Sequence, residues 1–427
     1  MLTSRGVVAA SADGLRSEEP AAPPDWSLMR ALVIGDIGVL DGMLHIGDEA
    51  MFEVAAAQLG DRGVAVTGVS ANPAESATRY GIPTVPRLGI AGLPPASARD
   101  RVRRLVAAAA DGGRLPDGDP AIGALAELRR GAALVVAGGG NLASRWPEHV
   151  LERTTLAAMA RALHRPVVVS GQTLGPDLEA DHAELVAGML REAALAGVRE
   201  PTSLALAASW GIAARLGVDD ASFLDLDADP LPESGVLVSL SGWFGGLDPA
   251  ATEGSLAALV DRAAEAFDGP VRFHAHFGPV DAGAAPRGDA ALHERIRSRM
   301  RAPSEVVPTG DSRSSARLAR SASLLITSRY HPAVFAAPAG VPVLGLVADD
   351  YTRIKLRGAI GHWSADGHGS QTIELGAAAI EGAAAIESLR AGAPGIVAAA
   401  ASRRSAHRAA AAGWWDDVAG AVRAGSD

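Results

Sequence analysis

Ser323–Lys355 reads SLLITSRYHPAVFAAPAGVPVLGLVADDYTRIK. Leu324-Leu325-Ile326 is a short apolar run bounded by serines and threonine, the pattern of a buried strand. Arg329 and His331 follow two residues apart. Pro332 then suits the first turn of a helix, where a missing N–H is tolerated. Pro338 and Gly340 close that helix, and Val341–Val347 forms a second apolar strand. Beyond it lie Asp349, Asp350, Tyr351, Arg353 and Lys355. A fixed cation and an imidazole therefore stand where a buried strand turns into a helix, a place where α/β proteins bind anions.

The same alternation runs through the chain. Met29–Ile34 predicts a strand, and Asp48 and Glu49 head a helix that Gly60 ends, acids in the first turn favouring the helix dipole. Strands follow at Val64–Val69 and within Arg129–Gly140, the latter running into Gly138-Gly139-Gly140-Asn141. Helices are expected at Arg99–Ala110, Thr154–Leu163 and Glu179–Ala193. Another strand, Pro166–Ser170, lies between the last two, and Thr202 or Ser203 can cap the helix after Arg199. Asp225–Gly235, DLDADPLPESG, is acidic and without period, and it divides the pattern in two. A second series opens with the strands Val236–Leu240 and Val271–Phe273. Two strings of strand and helix argue for parallel sheets covered on both faces. The expected fold is α/β, with two Rossmann-like parallel-sheet domains facing a cleft (GT-B-like). The expected divisions are a disordered leader over 1–28, domains over 29–228 and 229–372, and a helical segment over 373–427 that packs back through Trp414-Trp415.

The 427 residues exceed one ordinary core. Hydrophobic residues make up 48% and charged ones 21%, as in a globular protein that dissolves in water. Aromatics are only 4%, so the core is built from Ala, Val and Leu. A net charge of −10 with no long basic run argues against a nucleic-acid partner. The absence of cysteine excludes disulfides and thiolate chemistry. No uninterrupted apolar segment is long enough for a membrane span, and the first residues lack the apolar stretch of a signal peptide. The expected location is cytoplasmic.

Several residue groups carry chemistry. Gly139, Gly140 and Asn141 let a ligand approach main-chain N–H groups, although a tight turn also needs such glycines. Neither GxGxxG nor GxxxxGK[ST] occurs, which removes sequence support for dinucleotide binding and P-loop chemistry. Asp48 either matches its helix dipole or meets sugar hydroxyls, and Arg199 either forms a surface ion pair or contacts an anion. His274 and His276 alternate on a strand end, so one of them is expected to face inward; no ligand spacing for a metal accompanies them. His362 and His368 fall in a Gly-rich loop and are expected to be exposed. In Arg329-x-His331, guanidinium offers a rigid fork for carboxylate or phosphate, and imidazole near its ordinary pKa of about 6.5 can move a proton.

Together these pieces resemble the polysaccharide pyruvyl transferase family. They are Gly47-Asp48-Glu49-Ala50, Gly138-Gly139-Gly140-Asn141-Leu142, Ser170-Gly171-Gln172-Thr173-Leu174-Gly175-Pro176, Val198-Arg199-Glu200-Pro201-Thr202-Ser203, Asp225, Ser328-Arg329-Tyr330-His331 with Gly340-Val341-Pro342, and Tyr351 and Lys355 with Gly358. The resemblance spans roughly Met29 to Gly361. It implies a GT-B-like fold, phosphoenolpyruvate as donor substrate with no further cofactor, and a pyruvate ketal placed on two hydroxyls of a sugar in a surface polysaccharide or its lipid-linked precursor. By the same resemblance His331 and Arg329 are catalytic, and Asp48, Gly139, Gly140, Asn141, Gln172, Arg199, His276 and Lys355 bind substrate. His45 departs from the family pattern, which often has Asn at that position. A nucleotide-sugar glycosyltransferase of the same architecture, or a sugar- or anion-binding protein without catalysis, are the competing readings.

Overall fold

Ala31–Ile34 and Ala133–Val136 are buried along their whole length. Strands without an exposed alternate residue belong in a parallel sheet covered on both faces. A computed structural model describes residues 29–228, 231, 235–267, 269–365 and 369–425. The leader expected over 1–28, and His368, lie outside them. The first half contributes β1 (Arg30–Ile37), β2 (Met43–His45), β3 (Ala65–Ser70), β4 (Thr84–Pro86), β5 (Ala133–Val136), β6 (Gly139–Leu142), β7 (Val167–Leu174), β8 (Leu195–Val198) and β9 (Arg215–Leu216). The second contributes β10 (Val236–Ser239), β11 (Val271–His274), β12 (Phe277–Pro279), β13 (Ser304–Val307), β14 (Leu324–Thr327), β15 (Val343–Val347) and β16 (Gln371–Glu374).

One parallel sheet runs β4-β3-β1-β5-β7-β8-β9, with β6 beside β7, and the other runs β13-β11-β10-β14-β15-β16. These are the two parallel-sheet α/β domains expected of a GT-B-like chain. Helices cover both sheets: Leu105, Leu125 and Leu156 pack on the first, and Leu256, Val260 and Leu292 on the second.

Three local expectations are corrected. Gly139-Gly140-Asn141 is not a turn but the short strand β6, registered on Gln172 and Leu174 of β7. The helix expected at Thr154 begins at Pro147, which occupies its first turn. The helix after Arg199 is capped by neither Thr202 nor Ser203; it starts at Pro201 with Glu200 at the N-cap. Ser203 Oγ instead accepts from Leu174 N at 2.9 Å and donates to Glu200 at 2.9 Å.

The domains are joined in three ways. β2 and β12 form an antiparallel ribbon across the divide, with His45 stacked on Phe277 at 4.0 Å between ring centres. An apolar cluster beneath it mixes Leu44, Ile46 and Met51 of the first half with Leu325, Val334 and Phe335 of the second. The last helix, Ala378–Ala424, then crosses between domains. Its Ile386 and Leu389 sit in the second core, and Trp414, Trp415, Val418 and Val422 sit in the first. Trp414 Nε1 donates to Ser170 Oγ at 2.9 Å. Among the described residues no helix is long and apolar enough to cross a membrane.

Trp415 is 2% exposed in the first core, beside Trp414 and Phe52. Trp415→Ala is expected to lower unfolding stability by roughly 3–5 kcal/mol, read as a shift in the urea midpoint. An unchanged midpoint would show that the last helix does not anchor the first domain.

Candidate active site

The C-terminal ends of β1, β8 and β14 and the strand β6 converge, with the first turn of the helix Ile46–Gly60, on a cavity of about 280 Å³ between the domains. The first domain lines it with Asp36, His45, Gly47, Asp48, Gly140, Asn141, Trp146, His149 and Arg199. The second supplies His276, Arg329, Tyr330, His331, Tyr351 and Lys355. Asp48, Gly140, Asn141, Arg199, His276, Arg329, His331 and Lys355 are thus brought together. Gly139 and Gln172 are not at the surface of the cavity. Gln172 is fully buried behind β6, its Nε2 bonded to Ala137 O at 2.5 Å and Ser170 O at 3.1 Å, and Gly139 packs over it. Their place is to brace the strand that carries Gly140 and Asn141.

The Gly47-Asp48-Glu49 turn divides its labour by residue. A Cβ on Gly47 would lie 1.7 Å from His331 Nδ1, so the imidazole lies against this backbone only because residue 47 has no side chain. Asp48 turns into the cavity. Glu49 is buried away from it and anchors the preceding loop through Gly38 N at 2.9 Å and the Tyr80 hydroxyl. Gly140 is approached less tightly: a Cβ there would lie 2.6 Å from Lys355 Nζ, the movable end of a long side chain. Tyr351 donates to Gly140 O at 2.8 Å and receives from Lys355 at 3.0 Å, so this contact also ties the domains.

Arg199 is 1% exposed and is therefore not a surface ion pair. Its Nη1 meets Asp219 Oδ2 at 2.6 Å, and its Nε meets Thr173 Oγ1 at 2.9 Å and Glu200 at 3.2 Å. The face of the guanidinium lies 4.3 Å from the Tyr330 ring centre. Burial disfavours this charge, but Tyr330, Asp219 and Glu200 outweigh it and hold the arginine protonated. Arg329 is also engaged: Nε donates to Asp289 Oδ2 at 2.8 Å and Nη2 to Asp289 Oδ1, and Asp289 in turn receives Phe277 N at 2.9 Å. The cation expected at 329 is therefore paired with a carboxylate and tied through it to the interdomain ribbon.

The imidazoles differ from the expectation of ordinary titration. Burial pushes His331 down to about 3, so it is neutral when the cavity is empty. Its Nε2 stands 3.9 Å from Asp219 Oδ2, beyond hydrogen-bond reach. His274 and His276 are both buried, not one in and one out: His274 bonds Ser315 Oγ at 2.8 Å, while His276 follows the strand and enters the cavity wall. His362 is not exposed either; it is half-buried and its Nε2 sits 2.8 Å from Arg199 O.

On the opposite wall Asp36 pairs with Arg87 and accepts from Asn141 Nδ2 at 3.0 Å. Burial raises Asp36, but His149, Arg87 and Arg153 outweigh it and hold it at about 2. Burial and then the Asp36 charge push Asp48 the other way, up to about 7. Asp36, His149, Asp219 and Asp289 escaped the sequence reading. Asp36 alone had a usable signal, lying just past the expected strand Met29–Ile34; β1 in fact runs on to Ile37 and includes it. Asp225, singled out among the motif pieces, instead holds Arg313 at 3.0 Å outside the cavity. Among the described residues no cluster of three or more acidic or imidazole side chains could hold a metal.

Four buried polar atoms of the cavity wall have no hydrogen-bond partner among the described residues: Arg199 Nη2, both ring nitrogens of His276, and His331 Nε2. Each such atom costs about 1–3 kcal/mol unless a ligand pairs it. The model of the polysaccharide pyruvyl transferase family matches residues 45–350, most of the chain and every wall of this cavity except Asp36, Tyr351 and Lys355. The chain belongs to that family. No curated protein matches it by sequence. Among solved structures, sucrose-phosphate synthase from Thermosynechococcus elongatus is similar at a TM-score of 0.54 and 13% identity, over 91% of this chain and 98% of that one. UDP-GlcNAc 2-epimerase from Methanocaldococcus jannaschii is similar at 0.53 and 11%, over 86% and 93%. At such identity these likenesses speak for the GT-B-like family fold alone.

Two measurements check this geometry. Gly47→Ala must displace the His331 ring, so it should lose activity as severely as His331→Ala while the circular dichroism spectrum stays native; wild-type turnover in Gly47→Ala would contradict the contact. His331, with its folded pKa depressed below the unfolded value of about 6.5, favours folding above that value and loses the contribution as pH falls toward 3. Over pH 6 to 4 the unfolded chain takes up a proton there that the native chain does not. His331→Gln should make the fall in stability over that window shallower by about 1.4 kcal/mol per pH unit, measured by urea unfolding.

Proposed function

We propose that the protein transfers pyruvate from phosphoenolpyruvate to two hydroxyls of a sugar acceptor, forming a ketal. The observation that carries this reading is the polarity of the cavity. The second domain supplies Arg329, Lys355, His276 and His331, and the first supplies Arg199, whose Nη2 has no partner among the described residues, together with Asp36, Asp48 and Asn141. A small ligand bearing both phosphate and carboxylate suits these cations, because guanidinium and ammonium groups bind such oxygens directly. The carboxylates suit hydroxyl groups and repel a second anion.

The reaction takes one proton from each of the two hydroxyls and, in balance, puts one on the methylene carbon and one on the departing phosphate. One sugar hydroxyl attacks the carbon that bears the phosphate while a proton reaches the adjacent methylene, which becomes methyl. The bond to phosphate breaks, a second hydroxyl adds to the same carbon, and its proton leaves with the phosphate. His331 stands beside Arg329 and is the group for the methylene: neutral in the empty cavity, it gains a proton when an anion beside it favours the charged imidazolium. Asp48, set near 7, is the group for the hydroxyl, since general base catalysis works best with a pKa close to the operating pH. Gln172 and Gly139 support the strand from behind, and Lys355 orients the donor with Tyr351. The acceptor, on this reading, is a glycan or its precursor, and no metal or further cofactor takes part.

Phosphoenolpyruvate is expected to raise the melting temperature by mass action and nucleotide-sugars are not; the reverse result would favour a nucleotide-sugar glycosyltransferase. Phosphate release from phosphoenolpyruvate in the presence of galactosyl or N-acetylmannosaminyl acceptors tests the reaction itself. His331→Ala should lower it by roughly 10²–10⁴-fold with the fold intact, and Arg329→Ala should lower both it and the thermal shift given by phosphoenolpyruvate. Asp48→Asn should lose turnover but keep the thermal shift with phosphoenolpyruvate. Unchanged turnover in His331→Ala would remove it from the chemistry.

A further inference from the structure

Trp146 and Trp243 are both exposed, at 37% and 50%, in a chain with few aromatics. They belong to different domains, and Arg145 connects them. Trp146 lines the cavity next to His149. Its chain neighbour Arg145 lies between two rings, 5.0 Å from the centre of Trp243 and 5.1 Å from that of Tyr351. Arg145 also bonds Asp349 at 3.0 Å, and Trp243 Nε1 bonds the same carboxylate oxygen at 2.8 Å.

Trp243 is therefore held although half of it is open. Its indole N–H is satisfied and one side meets a guanidinium. Its turn is pressed onto the next loop so closely that a Cβ on Gly245 would lie 2.1 Å from Ala348 O. A large apolar ring kept rigid at the surface loses little entropy on binding and gains by being covered. The occupant must offer an apolar face to the ring and hydroxyls to Arg145 and Asp349 beside it. A pyranose has both, with C–H groups on its face and hydroxyls at its edge.

We propose that Trp243, with Arg145 and Asp349, is a subsite for a sugar ring of the acceptor beyond the one that reacts, so that the protein prefers an oligosaccharide to a monosaccharide. The proposal rests on the acceptor being a glycan whose reacting ring enters along Trp146. Both domains build the subsite, so an extended acceptor also spans the divide between them.

The test is binding by isothermal titration to the full-length protein, without phosphoenolpyruvate, of galactosyl and N-acetylmannosaminyl sugars one to four units long. Affinity should rise with length in at least one series. Trp243→Ala should remove about three- to tenfold of that gain, and Trp243→Phe should retain most of it. Trp243→Leu, which keeps apolar bulk against Arg145, should behave like the alanine variant and guards against a folding defect in the latter. Equal length dependence in wild type and Trp243→Ala, or none in either series, overturns the proposal. Because the readout is binding alone, Trp243-dependent binding together with a failure of phosphate release would reject the ketal reaction and leave the subsite standing.

Discussion

A guanidinium that is 1% exposed stays charged only if its surroundings supply the opposite charge and accept its protons. Arg199 meets that condition through Asp219, Glu200 and the face of Tyr330. The arrangement fixes three things together. It aims Nη2 at the cavity, places the Asp219 carboxylate near His331, and holds Tyr330 so that the chain leaves β14 with Arg329 on one side and His331 on the other. Asp219 is itself held by Ala221 N at 2.9 Å, in the turn that follows β9. Breaking such a buried pair from one side leaves a stranded charge, at about 3–5 kcal/mol, so the pair is part of the fold as much as of the site.

The site lies between domains, and its shape depends on what holds them in place. The ribbon of β2 and β12, the Tyr351 contact to Gly140 and the crossing helix act at three separate points of the divide. Two of these involve residues that also line the cavity. Asp289 extends the coupling, because it binds Arg329 with its side chain and the ribbon with the same carboxylate. A ligand that displaced Arg329 from Asp289 would act on the ribbon directly. Small residues make the approach possible: a side chain at 47 would overlap the second domain's His331 ring, and one at 140 would push Lys355 Nζ aside.

Much of the architecture was legible from local pattern. Apolar runs of four to six residues separated by helical stretches predict parallel sheets, and β1, β3, β5, β10, β14 and β15 lie where those runs are. Motif position also brought most of the cavity wall to notice, because strand ends carry the residues that face a cleft in such folds. The failures have physical causes. Glycines at 139 and 140 look like a turn, since nothing local shows that β7 will pair with them. Gln172 looks like a ligand contact because a polar residue at a strand end is ambiguous until the layer above it is known. His362 looks exposed in a glycine-rich loop, yet the Arg199 carbonyl reaches it from a residue 163 positions away.

The sequence by itself determined the two-domain α/β class, the family, and the presence of an Arg-x-His pair after a buried strand, because periodicity and short-range spacing are properties of the chain. Only the tertiary structure decided what those residues are able to do. It tied Arg329 to Asp289, left His331 neutral, set Asp48 and Asp36 to opposite protonation tendencies, and made Arg199 the buried cation of the site. The reason is that charge and protonation depend on burial and on partners a few ångströms away, and such partners include Asp219, Asp289 and Arg87, which lie 20, 40 and 51 positions along the chain from Arg199, Arg329 and Asp36.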